Sequence, residues 1–208
     1  MCSTTGSFQV CAHPAYRDFL PHMSSAIAAA VNEVAGLPGV PVRAVQVAQG
    51  SLPATDSGGG TGYGQVASGG VYEFSMNSEL FGGPDSTDYQ QGFQFDILNA
   101  VIVGPAQAGK LKRHRGELVG SQSGSGTPAQ QAVFYGLLKA LGVPAAPGAP
   151  GGQQGQGNGE SPAQAQQQAE VTAAAAKFAA LPAATRHAWL AANLGGLKSG
   201  TLTLAQIP

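Results

Sequence analysis

Apolar positions along the first forty residues recur at three- and four-residue spacing. Phe19, Met23, Ile27, Ala30, Val31 and Val34 form one stripe, the signature of an amphipathic helix. Pro21 suits its first turn, and Gly36 with Pro38 ends it. The period then changes. Val40 to Val47 (VPVRAVQV) is β-branched and roughly alternating, and predicts a strand. Gly50 to Gly70 is rich in Gly, Ser and Thr and predicts a long loop.

Val71 to Met76 alternates strictly. Tyr72, Phe74 and Met76 share one face, and Val71, Glu73 and Ser75 share the other. A Gly-Pro-Asp turn follows at Gly83 to Asp85. Gly92 to Val103 (GFQFDILNAVIV) fits a strand through Phe93, Phe95, Ile97, Val101 and Val103. It also fits a helix through Ile97, Leu98, Val101 and Ile102. The β-branched end and the flanking Gly104-Pro105 favour the strand. Leu111 to Val119 is expected to return antiparallel to it. Thr127-Pro128 reads as an N-cap and first helical residue, opening a helix to Leu141 with Val133, Phe134, Leu137, Leu138 and Leu141 inward.

The pattern then breaks. Gly142 to Gln168 is almost pure Gly, Pro, Ala and Gln, with a single charge. Such a stretch has too little apolar surface to offset its ordering entropy. Helical spacing resumes over Val171 to Leu181 and Ala184 to Leu194, separated at Leu181-Pro182. Phe178, Leu181, Trp189, Leu190, Leu194 and Leu197 make the apolar side. Thr201 to Pro208 reads as an extended apolar tail.

These elements predict an α+β fold: an antiparallel sheet packed by two helices, then a flexible linker and a C-terminal helical pair. The expected division is an α+β domain at 1–141, a Gly/Pro/Gln-rich linker at 142–168, and a C-terminal helical segment with its tail at 169–208. A tether of this kind would uncouple the C-terminal block from the first domain.

Composition changes the picture in one respect. Only 10% of the 208 residues are charged, and the net charge is −1, against roughly 25% charged residues in ordinary soluble domains. A surface with so little charge relies on neutral polar groups, is covered by other subunits, or reflects a genome biased towards Ala and Gly. Cys2 and Cys11 are nine apart and would pair in an oxidising compartment. Two free thiols are the expected state, since two cysteines make no disulfide framework. No apolar leader region follows Met1, and the longest apolar runs are too short to span a bilayer. Localisation is left open: cytoplasmic by default, with the low charge also admitting an extracytoplasmic setting.

Candidate chemistry is sparse. Gly104 to Lys110 (GPAQAGK) matches the first seven positions of the phosphate-cradling G-x-x-x-x-G-K pattern. The next residue, Leu111, lacks the hydroxyl that would ligate magnesium, so no nucleotide cofactor is expected. Lys110, Lys112, Arg113 and Arg115 gather four of ten cations within six residues. They are candidates for contact with a nucleic acid or an anionic lipid surface, or else solvate a hairpin edge. Asp56-Ser57-Gly58 resembles an aspartic-protease triplet, but only one copy is present, in a Gly-rich run. Asp85 and Asp88 fit a turn better than a calcium site. His13, His22, His114 and His187 show no metal-ligand spacing, and no catalytic set or metal site is expected.

The remaining lead is the C-terminal block. Phe178, Trp189, Leu190 and Leu194 would dock into a groove on a protein partner or a second copy, or fold back onto the chain's own domain. The expectation is therefore a non-enzymatic interaction or assembly protein with a tethered docking segment. The alternatives are a hydrolase assembled from His13, His22, Glu73 or Asp96, and an anionic polymer or lipid binder acting through residues 110–115.

Overall fold

The computed structural model describes residues 1–5, 8–38, 40, 44–49, 64–67, 71–76, 88–103, 112–114, 117–119, 126–143 and 162–208. The fold is α+β and mostly helical. Five strands form one sheet in the order β1-β2-β3-β5-β4: β1 (Cys2–Thr5), β2 (Phe8–Ala12), β3 (Ala44–Gln49), β4 (Gly64–Ala67) and β5 (Val71–Met76). A short hairpin, β6 (Lys112–His114) with β7 (Glu117–Val119), stands as a separate two-stranded sheet. Among the described residues, five α-helices follow the same numbering: α1 (Leu20–Glu33), α2 (Asp88–Val103), α3 (Pro128–Ala140), α4 (Pro162–Ala180) and α5 (Ala183–Ser199).

The sheet is mixed, not antiparallel as expected. β2 pairs with β3 in parallel, and so does β3 with β5, while β1 and β4 are antiparallel edge strands. For β2 and β3 the physical reason is the connection. A helix of fourteen residues lies between β2 and β3, and a crossover of that length returns the chain in the same direction. That helix carries the expected stripe, with Phe19, Met23, Ile27, Ala30, Val31 and Val34 all buried. A 3-10 segment, Pro14–Phe19, leads into it, opened by the His13 side chain accepting from the Ala15 N–H.

The strand expected over Gly92 to Val103 is a helix. Its buried residues Phe93, Ile97, Leu98, Val101 and Ile102 recur at helical spacing, so burial on a 3.6 period overrides the β-branched composition. Gln94 is also buried and donates to the Ala26 carbonyl, fastening α2 to α1. With no strand at 92–103, residues 111–119 have no such partner, and β6 turns back on β7 instead. The loop expected over 50–70 contains β4; residues 50–63 lie outside the described ones.

The N-terminus of α3 is as expected. Thr127 and Gln130 form a reciprocal capping box with Pro128 in the first turn. α4 begins at Pro162, inside the segment expected as linker, because Ala and Gln are good helix formers. Residues 144–161 lie outside the described ones. The tail is not simply extended: Leu204–Gln206 forms a 3-10 turn, and Ile207 is buried.

The helices stack behind the sheet. α1 lies against β1 and β2, α2 against α1, α3 and α5 against α2, and α4 against α3. One cluster of buried side chains runs from Val10 through Ile27, Ile97 and Leu137 to Phe178, Leu190 and Ile207. α3 and α4 cross closely at Gly136, where a Cβ would lie 3.0 Å from the Ala175 carbonyl oxygen and from the Phe178 ring.

Candidate functional site: the outer face of the sheet

Strand alternation sorts the sheet into two faces. In β2, Val10 and Ala12 are buried beneath the helices, Gln9 is exposed and Cys11 is half-buried. The pairing register carries this division across the sheet. Ser3, Val10, Val45, Tyr72 and Val66 form one cross-strand row of the inner parity. The adjacent row of the opposite parity is Cys2, Cys11, Gln46, Glu73 and Gln65. Five strands at ordinary spacing make this polar row about 19 Å long. At β1 and β2, where side chains are described, the outer face is open: Cys2, Thr4 and Gln9 are exposed.

The row starts at a covalent bond. Cys2 and Cys11 form a disulfide, with Cα atoms 4.0 Å apart, where free thiols were expected. Register explains it. Met1 and Ala12 exchange both backbone hydrogen bonds, at 2.7 and 2.9 Å, so the next pair, Cys2 with Cys11, is the closer, non-hydrogen-bonded one.

The residues singled out from the sequence are dispersed. Lys112 and Arg113 belong to β6, while Lys110 and Arg115 lie outside the described residues. The Gly104–Lys110 run, also outside them, follows helix α2 instead of the strand that the phosphate-cradling pattern requires. His13 is exposed at the end of β2 and His22 is exposed in α1. Glu73 lies in β5, two strands from β2, hence roughly 10 Å away laterally. Asp96 belongs to α2, behind the sheet. Among the described residues, no three His, Cys, Asp or Glu side chains gather as a metal would need. Asp56 and Asp85 lie outside them.

Three of the four docking candidates belong to the chain's own interior, and the half-buried Trp189 packs against it. Phe178 and Leu190 are fully buried, Leu194 nearly so, and Trp189 packs edge-to-face on Phe178 with ring centroids 5.3 Å apart. The C-terminal pair is further clasped by Arg186. Its Nε donates to Glu33 Oε1 of α1 at 2.6 Å, and Nη1 donates to the Ala179 and Leu181 carbonyls at the α4–α5 turn. His187 Nε2 meets the Ala35 carbonyl, and Lys198 donates to that of Pro38. Three cationic or imidazole side chains thus surround the C-terminal end of α1, where the helix dipole is negative.

Gln130 joins two helix ends. Its Oε1 accepts from the Thr127 N–H at 2.8 Å, and its Nε2 donates to the Leu197 carbonyl at 2.6 Å. Burial raises the Tyr135 phenol from 10.0 to about 12. No helix among the described residues is long and apolar enough to cross a membrane.

Comparison with family models, with curated proteins and with solved structures found no match.

Proposed function

We propose that the chain is a non-enzymatic interaction or assembly protein, and that its contact surface is the outer face of the sheet. The observation that supports this is the row Cys2, Cys11, Gln46, Glu73 and Gln65. It sets two glutamines and one glutamate at aligned register positions of β3, β5 and β4, beside the cysteine pair of β1 and β2. A polar face of this kind offers hydrogen-bond donors and acceptors, and suits a protein partner or a second copy of the chain. The C-terminal block serves this reading indirectly. Docked on its own domain, it stiffens the layer on which the sheet rests. The disulfide suits an oxidising setting, and the low charge suits a surface built on amides and hydroxyls.

The test is site-specific cross-linking in the source cells. A photoreactive residue at Gln9, on the outer face, should give one discrete adduct. The same residue at Glu170, exposed on α4, should give none. Equal labelling at both sites, or none at Gln9, would contradict the proposal.

A second reading is supported by the hairpin. β6 sets Lys112, Arg113 and His114 on consecutive positions of one short strand, a compact basic element for anionic polymers or lipid headgroups. It predicts binding to polyanions or anionic vesicles that weakens steeply with salt, and that Lys112→Ala with Arg113→Ala reduces.

A further inference from the structure

We propose that Cys2–Cys11 is an exchangeable disulfide that passes its oxidation to thiols, so that the sheet margin is a thiol–disulfide exchange site. This does not rest on the protein-contact reading. It rests on where the bond lies and on how little depends on it.

A disulfide that holds a fold together ties buried segments and hides its sulfurs. This one does neither. Cys2 is exposed, Cys11 is half-buried, and no residue of β1 is buried. The core begins at β2, with Val10 and Ala12. β1 is the outermost strand of the sheet. The bond joins positions only nine apart, and the antiparallel register with the Met1–Ala12 hydrogen bonds already closes that hairpin. Opening the bond therefore removes no core contact. Access of a thiol to the sulfur and the thiolate character of the attacker set the exchange rate, and the margin gives access.

The chemistry starts at the more exposed of the two cysteines. A thiolate of the incoming dithiol attacks Cys2 Sγ, forming a mixed disulfide while the Cys2–Cys11 bond breaks. Cys11 leaves as a thiolate and takes a proton from water. The second thiolate of the dithiol then attacks its own sulfur in the mixed disulfide. Cys2 leaves as a thiolate and is protonated. The dithiol departs as a disulfide, two electrons poorer, and the chain keeps those electrons as two thiols. A small dithiol and a protein dithiol share this chemistry, and the rates of the two distinguish them.

The test uses the full oxidised chain without denaturant. Dithiothreitol is added, samples are alkylated over time, and peptide masses are read together with the far-UV circular dichroism. Both cysteines should become alkylated at a rate within about tenfold of an unstructured peptide disulfide, because an exposed edge opens at little free energy. The helical signal should stay constant throughout. In Cys11→Ser, glutathione disulfide should leave a stable adduct on Cys2, since no neighbouring thiol resolves it. Repeating the reduction with a reduced thioredoxin-class protein reads out the second source: a faster rate identifies a protein dithiol, an equal rate a small one. A bond inert until denaturant is added, or a helical signal that collapses on reduction, would overturn the proposal and make the bond structural.

Discussion

The helical layer and the sheet margin use polar groups in opposite ways. Behind the sheet, three of the five buried polar side chains among the described residues join helix to helix: Gln94 fastens α2 to α1, Gln130 ties α3 to α5, and Arg186 ties α5 to Glu33. At the margin, polar side chains are exposed and rest on a hairpin that contributes no buried residue of β1. An unpaired buried polar group is expensive, whereas an exposed one is nearly free to change. The first region therefore tolerates little chemistry of its own, and the second is open to take on some. A long Gly/Pro/Gln-rich stretch in the sequence does not imply energetic independence either: the helices on its two sides share one core.

The largest expected effect comes from the shared core. Phe178 of α4 is fully buried against Gly136 of α3 and Trp189 of α5. Phe178→Ala should cost about 3–5 kcal/mol. The loss should appear as one lowered denaturation midpoint for the whole chain, because α4 and α1 belong to the same cluster. Two separate transitions, with only the C-terminal one shifted, would restore the picture of a tethered independent block.

The Arg186 clasp ranks next. Glu33→Gln removes the carboxylate and leaves a buried guanidinium without its counter-charge, which costs about 3 kcal/mol in such settings. Thermal unfolding of Glu33→Gln should fall well below that of an exposed control such as Glu170→Gln. Equal shifts would reduce the clasp to an ordinary surface pair.

Gly200 closes α5 in a left-handed conformation, φ 72°. The Thr201 N–H bonds back to the Gly196 carbonyl, the pattern of a Schellman cap. A Cβ there would also lie 3.0 Å from Thr127 Cγ2. Gly200→Ala should cost about 1–2 kcal/mol, measured by urea unfolding, with the slope against denaturant unchanged.

The last effect vanishes at neutral pH and is confined to alkaline pH. Tyr135 is raised from 10.0 to about 12 by burial, so the unfolded chain ionises first. Below pH 10 both states keep the proton, and the phenol adds no pH dependence. Between about pH 10 and pH 12 the unfolded state gains, and stability falls by up to about 2 kcal/mol. Tyr135→Phe should flatten that decline and leave the curve at neutral pH almost parallel to wild type. An unaltered alkaline decline would place its source elsewhere.

How far this arrangement was legible in the sequence depended on the range of the signal. Local signals read well. The stripe from Phe19 to Val34, the alternation of Val71 to Met76 and the Thr127-Pro128 cap are all short-range patterns with one physical meaning. Gly92 to Val103 misled because its apolar residues satisfy both periods over a short window, and only packing against α1 decides between them. The parallel pairing of β2 with β3 was misjudged because it depends on the crossover helix, not on the strands themselves. The outer row was hidden for the same reason. Gln46, Glu73 and Gln65 are ordinary polar residues in sequence, and only the registers of the β3–β5 and β4–β5 pairings align them. The cysteines were visible, but their pairing follows from the β1–β2 register.

The division of labour between the two regions is tested most directly by hydrogen exchange on the full chain, oxidised and reduced side by side. Peptides from α1 and α5 should show the same slow exchange in both states, as parts of one core. Peptides covering residues 1–12 should exchange faster once Cys2–Cys11 is open. Faster exchange in α5 than in α1, or protection lost from both helices on reduction, would contradict the account.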